Sequence, residues 1–169
     1  MVGKYQTRHR AVPFLKDVIS QHHYQLIFDE LRPKTIIDLG TAFGGSAVWF
    51  ADRVPDAKVV TFDLEDARAD ECKHHPRVVF SRTDISDADS VRQVLEHCPH
   101  PWLLSEDCHV DASIVLRTFA PLLRDGDYVV FEDTHPCNPD VAGNHADCDA
   151  YRCGEWSRAK LANVRAAMS

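Results

Sequence analysis

The chain has 169 residues, of which 44% are hydrophobic and 27% charged, and its formal net charge is -7. This length predicts one domain with a buried core. The basic residues are scattered among acids, so we expect no nucleic-acid partner. No signal-peptide pattern and no apolar run of membrane-spanning length is found, which predicts a cytoplasmic protein without membrane contact. The six cysteines lack CxxC spacing and are expected to be reduced thiols.

Short apolar runs typical of buried strands alternate along the chain with longer segments of helical periodicity. A helix is predicted over 12–31 and ends before Pro33, whose ring disfavours helical geometry in the preceding residue. Strands are predicted over 35–39, 58–64, 77–81, 101–105 and 128–131. Further helices are predicted over 87–98, 112–123 and 155–168, and a short helix or loop over 66–75.

This alternation of strands and helices predicts a parallel sheet with right-handed crossovers and helices on both faces. We therefore expect an α/β fold, a Rossmann-like three-layer sandwich with a mainly parallel sheet of about five strands. The whole chain is expected to form a single domain. Its predicted parts are an N-terminal helical segment (1–34), a cofactor-binding core (35–133), and an irregular tail with a last helix (134–169).

A glycine-rich turn follows the first predicted strand, in the run Asp38-Leu39-Gly40-Thr41-Ala42-Phe43-Gly44-Gly45-Ser46. Its glycines allow a sharp turn and close approach of a ligand. The helix that follows offers free N–H groups to an anionic group such as a carboxylate. A dinucleotide fingerprint needs a second glycine beside the pyrophosphate, and Ala42 stands at that position. The loop therefore fits a smaller group, such as the amino acid end of S-adenosylmethionine.

Single acids end the second and third predicted strands. Asp63 is placed to accept hydrogen bonds from both ribose hydroxyls of a nucleotide. Asp84 is placed to take the exocyclic amine of an adenine. The alternative interpretation of each acid is a solvated loop residue or a helix cap.

Paired acids follow the next two predicted strands, Glu106 and Asp107 in one place and Glu132 and Asp133 in the other. In a parallel sheet these strand ends share the edge that carries the glycine-rich turn. Four converging carboxylates repel one another unless they are protonated or bound to a cation. Such an oxygen-rich site suits Mg²⁺. The alternative is a set of separately solvated loop acids.

Two longer runs resemble a known family. They are Ile36-Ile37-Asp38-Leu39-Gly40-Thr41-Ala42-Phe43-Gly44-Gly45-Ser46-Ala47 and Ala120-Pro121-Leu122-Leu123-Arg124-Asp125-Gly126-Asp127-Tyr128-Val129-Val130-Phe131-Glu132-Asp133-Thr134. Together with Tyr24-Gln25 and Leu31-Arg32-Pro33, they are similar to the cephalosporin hydroxylase / rhamnosyl O-methyltransferase family, which are class I S-adenosylmethionine-dependent enzymes. The resemblance covers residues 22–135.

The resemblance implies S-adenosylmethionine and Mg²⁺ as cofactors. It implies that Asp63 holds the ribose and Asp84 the adenine side. The other expected cofactor-binding residues are Asp38, Gly40, Thr41, Ala42, Gly44, Gly45, Ser46, Leu64 and Ile85, of which the glycines, Thr41 and Ser46 would hold the methionine part.

The resemblance also implies that Asp107, Glu132 and Asp133 coordinate Mg²⁺. The ion would bind the substrate hydroxyl, lower its pKa and aim it at the sulfonium methyl. His109 is the candidate general base, because imidazole changes protonation state near neutral pH, and Asp107 is the other expected catalytic residue. The alternative interpretation of His109 is a capping or cofactor-binding residue. Many relatives carry acid-x-x-His here, a spacing that Glu106 fits and Asp107 misses by one residue, so either acid could face the metal.

Two features of the C-terminal part depart from the family. Class I methyltransferases end with a two-strand hairpin after the fifth strand, and no apolar strand follows Asp133. A shortened form, or a subunit that covers its sheet edge in a homo-oligomer, would explain this. The tail also offers a rival zinc site, although its spacing matches no common zinc motif; the candidates are His135, Cys137, His145, Cys148 and Cys153.

The sequence thus predicts a Mg²⁺-dependent O-methyltransferase acting on a small hydroxylated molecule, such as a sugar or natural product. The alternatives are an NAD(P)-dependent oxidoreductase on the same fold, which Ala42 and the paired glycines disfavour, and a non-catalytic cofactor-binding domain, which the missing hairpin favours.

Overall fold

The computed structural model describes residues 8–14, 16, 18–134 and 153–169, with the side chains of the last helix described from residue 159 onward. The first elements among the described residues are an antiparallel pair of short strands, β1 (Arg8–His9) and β2 (Val12–Pro13). The first helix, α1 (Val18–Leu31), follows. The helix predicted from residue 12 therefore starts six residues late. The prediction was wrong there because Pro13 biases Val12 toward extended geometry, which suits a strand.

A five-stranded parallel sheet forms the centre of the molecule, with the strand order β5-β4-β3-β6-β7. The strands are β3 (Thr35–Leu39), β4 (Lys58–Asp63), β5 (Val78–Arg82), β6 (Trp102–Glu106) and β7 (Tyr128–Phe131). The helices between and after them are α2 (Gly45–Arg53), α3 (Asp70–Lys73), α4 (Ala88–Leu95), α5 (Ala112–Phe119) with a 3₁₀ turn (Ala120–Leu122), and α6 (Cys153–Ala167). The predicted Rossmann-like α/β fold is confirmed.

Two apolar layers cover the two faces of the sheet. One packs α1 and α2 against the sheet through the rings of Tyr24, Phe28, Trp49 and Phe50. The other lies beneath α4 and α5, where Phe62 meets Phe119 edge to face at 6.3 Å. Because both faces are covered, β3 is buried along its whole length, including the polar residues Thr35 and Asp38. Among the described helices none is both long and apolar enough to cross a bilayer.

The crossover order brings the carboxyl ends of β3, β6 and β7 side by side. The Asp107 N–H donates to the Leu39 carbonyl, and the Glu132 N–H donates to the Glu106 carbonyl, both at 3.0 Å. The glycine-rich turn and the two pairs of acids therefore lie together at the carboxyl ends of these strands. The predicted hairpin absence and the zinc candidates fall mainly on residues 135–152 and on the Cys153 side chain, which lie outside the described residues.

At the amino ends of the strands, Asp127 connects the start of β6 to the turn before β7. Its carboxylate accepts hydrogen bonds from the N–H groups of Trp102 and Arg124, both at 2.7 Å, and contacts His100 Nδ1 at 2.8 Å.

We expect Asp127→Ala to lower the free energy of unfolding by about 3 kcal/mol, because two backbone N–H groups lose a charged acceptor. Urea denaturation measures this loss. Asp125→Ala is the matched control, since Asp125 is an exposed acid in the same turn. Equal stability of the two variants would contradict the assigned role.

Candidate functional site

The glycine-rich turn between β3 and α2 is shaped by close approach as well as by backbone geometry. Gly40 has a φ of 99°, and a Cβ at this position would lie 2.6 Å from the carbonyl oxygen of Asp107. Glycine is thus required here for the turn after β6 to lie against the loop. The N–H of Ala42 donates to Asp63 Oδ2 at 2.9 Å, so the end of β4 also joins the loop.

A buried hydrogen-bond chain runs beneath this loop. The hydroxyls of Thr41 and Thr61 lie 2.6 Å apart, and Thr61 donates to Asp38 Oδ2 at 3.0 Å. The second oxygen, Asp38 Oδ1, is buried without a hydrogen-bond partner among the described residues. Burial raises the pKa of Asp38 to about 7, although the nearby Lys16 ammonium opposes the shift. Such a buried orphan oxygen suits a donor that arrives with a ligand.

The other expected cofactor-binding residues differ in their surroundings. The Asp63 carboxylate also accepts from the Leu64 N–H at 2.7 Å, while the Leu64 side chain is exposed. The exposed Asp84 accepts from the Ser86 N–H at 2.8 Å, and this bond lowers the pKa of Asp84. Ile85 is buried in the apolar layer beneath α4. Gly44 and Gly45 are buried, Ser46 is half-buried, and Ala42 is exposed.

Three side chains at the ends of β6 and β7 converge on one point. Asp107, His109 and Asp133 each offer a ligand atom, and these atoms all lie within 4.8 Å of one another. His109 Nε2 is 3.4 Å from Asp133 Oδ2. His109 and Asp133 have positive φ values of 57° and 55°, a geometry that side chains rarely adopt and that often marks functional sites. Burial, followed by the charge of Glu132, raises the pKa of Asp107 to about 6.

Glu132, the third expected metal ligand, is engaged differently. Its Oε1 accepts hydrogen bonds from the Tyr24 hydroxyl at 2.6 Å, from the Ser105 hydroxyl at 2.9 Å and from the Lys16 ammonium. Burial and the charge of Glu132 raise the pKa of Tyr24 well above its ordinary value, so this hydroxyl remains a donor. The structure therefore places Glu132 beside the three-residue cluster, with donors around it.

Lys16, Tyr24 and Ser105 are site residues that sequence reasoning missed. Tyr24 stood in one of the runs that carry the family resemblance, which was the only signal for it. Lys16 fell within the segment predicted as helix. Ser105 ended a predicted strand and carried no motif of its own.

Glu106 faces away from the cluster, which answers the question left open by the acid-x-x-His spacing. Its side chain is fully buried, pairs with Lys160 of α6 at 2.9 Å and accepts from the Cys108 N–H at 3.1 Å. Of the two neighbouring acids, Asp107 is therefore the one beside His109 and Asp133.

A Rossmann-like sheet with this glycine-rich turn, a buried acid before it and acids at the following strand ends defines a class I methyltransferase fold. The chain belongs to the Rhamnosyl O-methyltransferase/CmcI family, which its sequence matches over residues 3–147. The family resemblance inferred from the sequence is confirmed.

The similar proteins are longer than this chain. The rhamnosyl O-methyltransferase of Mycobacterium tuberculosis (strain ATCC 25618 / H37Rv) is 31% identical in an alignment of 162 positions that covers 86% of this chain and 66% of that protein. A CmcI structure with SAH has a TM-score of 0.67 and 28% identity, covering 79% of this chain and 70% of that one. A CmcI structure with Mg and SAM has a TM-score of 0.64 and 26% identity, covering 90% and 65%. The chain thus spans slightly less than two thirds of the mycobacterial relative.

Proposed function

We propose that this protein transfers a methyl group from S-adenosylmethionine to a hydroxyl of a small molecule, such as a sugar or natural product, with Mg²⁺ at the reacting oxygen. The observation that carries the proposal is the cluster of Asp107, His109 and Asp133 next to the glycine-rich turn at Gly40. The named activity of the mycobacterial relatives and the SAH and Mg-SAM in the CmcI structures support it.

The residues at the glycine-rich turn fit S-adenosylmethionine. The unpartnered Asp38 Oδ1 is a suitable acceptor for the amino group of the methionine part. Asp63, at the end of β4, is proposed to hold the ribose and Asp84 the adenine side. The donor set of Asp107 and Asp133 fits Mg²⁺, which prefers carboxylate oxygens, and Glu132 is proposed as the third carboxylate.

When bound, Mg²⁺ supplies Lewis-acid stabilisation of the deprotonated hydroxyl, and S-adenosylmethionine supplies the methyl group. Asp107, Asp133 and Glu132 would hold this ion at the acceptor hydroxyl. His109 accepts the hydroxyl proton as general base, and its Nε2 lies 3.4 Å from the Asp133 carboxylate. The buried Tyr24 and Ser105 hydroxyls hold Glu132 in place behind them.

Two wider expectations belong to the same proposal. A cytoplasmic location is supported by Cys72, Cys98 and Cys108, which are free thiols. A homo-oligomer stays a prediction, as does division of the chain into the three parts given above. Within the described residues β7 lies at the edge of the sheet, where a second chain could pair with it.

The proposal is tested by thermal denaturation with S-adenosylhomocysteine, NAD and Mg²⁺ added in turn, because a ligand of the folded state raises the Tm. We expect S-adenosylhomocysteine to raise the Tm and NAD to leave it unchanged. A rise in Tm with NAD alone would contradict the proposal.

Asp63→Ala should weaken binding of S-adenosylhomocysteine by about 1–3 kcal/mol, since hydrogen bonds to a charged acceptor are lost. The exposed Asp89, on α4, provides the control variant Asp89→Ala. Equal affinity of Asp63→Ala and the wild-type protein would show that the ribose lies elsewhere.

The Mg²⁺-induced rise in Tm should increase with pH. Asp107, a proposed metal ligand, has a pKa raised from 3.8 to about 6. In the metal-free protein it favours the folded state at low pH and loses this contribution as pH rises through that value. Mg²⁺ binds the ionised carboxylate, so it gains most where the proton has left. Melting curves with and without Mg²⁺ at pH 5 and pH 8 measure this, and an equal Mg²⁺ effect at both pH values would disagree.

A further inference from the structure

Lys16 is a buried lysine within the proposed metal site. Its side chain is 3% exposed, and its ammonium donates to Glu132 Oε1. The same nitrogen lies 3.7 Å from Asp107 Oδ2, so it stands between two of the proposed metal ligands. Its other neighbours are aromatic, with the ring centres of Tyr24 and Phe50 at 5.5 and 5.8 Å. The surroundings of Lys16 are therefore acids on one side and rings on the other.

The acids keep this lysine charged. Its ammonium contacts the carboxylate of Glu132 and lies 3.7 Å from that of Asp107, and opposite charges this close favour the charged form of the lysine. An ammonium has donors and no acceptor, so Lys16 acts on the carboxylates as a cation and as a hydrogen-bond donor. Lys16 thus supplies the positive charge that adjacent carboxylates require.

The segment that carries Lys16 is fixed to the domain at several points. Asp52 of α2 binds both His9 and Arg10 at 2.7 Å. The ring of Phe14 stacks on Trp49 with centres 5.7 Å apart. Gly45, in the first turn of α2, lies so close to Pro13 that a Cβ would overlap the Pro13 carbonyl oxygen. These contacts hold the segment before Lys16 against α2 and so position the lysine beside the acids.

We infer that Lys16 is the counter-ion of Glu132 and Asp107 in the metal-free protein, and that Mg²⁺ displaces its ammonium from Glu132. This inference rests on the proposed function, because it requires Mg²⁺ at Asp107 and Asp133. Oε1 of Glu132 already accepts three donors, so one of them must leave before this oxygen can coordinate an ion, and the ammonium is the one that a second cation repels. Lys16 therefore competes with Mg²⁺ and weakens its binding.

Calorimetric titration of the full chain with Mg²⁺ at about pH 8, where the carboxylates are ionised, tests the competition. We expect Lys16→Met to bind Mg²⁺ about tenfold more tightly or better, because a charge within a few ångströms shifts cation binding to a carboxylate by such factors. Lys16→Arg, which keeps the charge, should stay near the wild-type Kd. An equal or weaker affinity of the methionine variant overturns the competition.

Two outcomes separate this inference from the proposed function. Equal affinities of all three proteins overturn the role of Lys16 and leave the Mg²⁺ site standing. No binding of Mg²⁺ to any of them overturns both. Circular dichroism shows whether the methionine variant is folded.

A second measurement needs no variant. Acetylation of lysine amines in the wild-type protein, read by mass spectrometry, reports how accessible each ammonium is. We expect Lys16 to be protected without Mg²⁺ and to be labelled faster when Mg²⁺ is saturating. Lys160, buried against Glu106, is the internal control and should be protected in both cases. Unchanged labelling of Lys16 overturns its displacement.

Discussion

Asp107→Asn is expected to lower the rate of Mg²⁺-dependent methyl transfer about a hundredfold or more. The amide keeps the shape of the carboxylate but removes a charged metal ligand, and metal-ion stabilisation of the transition state is worth several kcal/mol. Because Asp107 N–H bonds to the Leu39 carbonyl through its backbone, the turn should keep its position. The transfer rate at saturating S-adenosylmethionine measures the effect.

Two controls make this result interpretable. Asp89→Asn changes an exposed acid on α4 and should leave the rate unchanged. Binding of S-adenosylhomocysteine to Asp107→Asn should persist, because the proposed cofactor contacts lie at the ends of β3, β4 and β5. Wild-type turnover by the Asp107 variant would remove the carboxylate from the mechanism.

Lys160→Met is expected to lower the free energy of unfolding by about 3 kcal/mol or more, because it leaves a buried carboxylate without its partner. The side chains of Lys160 and Glu106 are 4% and 0% exposed, so water cannot replace the lost charge. The same helix α6 also binds α5, since Asn163 Oδ1 accepts from the Ala112 N–H at 2.7 Å. Urea denaturation measures the loss.

Arg165→Met is the matched control, because Arg165 is an exposed cation on the same helix. The double variant Lys160→Met, Glu106→Gln should recover part of the stability, since no buried charge remains unpaired. If Lys160→Met were as stable as Arg165→Met, α6 would not be held to the core by this pair.

The sheet could be predicted from the sequence because its strands are buried on both faces. Consecutive apolar residues occur at Ile36-Ile37 in β3 and at Trp102-Leu103-Leu104 in β6, whereas a strand with one solvated face alternates apolar and polar residues. The glycine-rich turn could also be predicted, because its glycines directly follow the first predicted strand and the acids directly follow the later ones.

The sequence did not show whether Glu106 or Asp107 faces the cluster, because the residues before them do not alternate between apolar and polar. Successive side chains of a strand point to opposite faces, so one residue of register decides between Glu106 and Asp107. An apolar run without alternation carries no register. The structure settles it by pairing Glu106 with Lys160, a residue more than fifty positions away along the chain.

Lys16 could not be found from the sequence for a different reason. Val12, Leu15, Val18 and Ile19 have helical spacing, which predicted a helix through the segment. The structure has a strand at Val12–Pro13 instead, and Lys16 reaches the acids by tertiary contacts that no local pattern encodes. The positive φ values of His109 and Asp133, which help aim their side chains, also leave no mark in the sequence.

Formation of S-adenosylhomocysteine from S-adenosylmethionine, followed across a panel of hydroxylated sugars and natural products, tests the proposed function most directly. The proposal predicts that at least one acceptor supports turnover with Mg²⁺, that EDTA stops it, and that added Mg²⁺ restores it. Turnover that persists in EDTA would contradict the role of the Asp107, His109 and Asp133 cluster. Reduction of NAD by any of these acceptors, with no S-adenosylhomocysteine formed, would contradict methyl transfer itself.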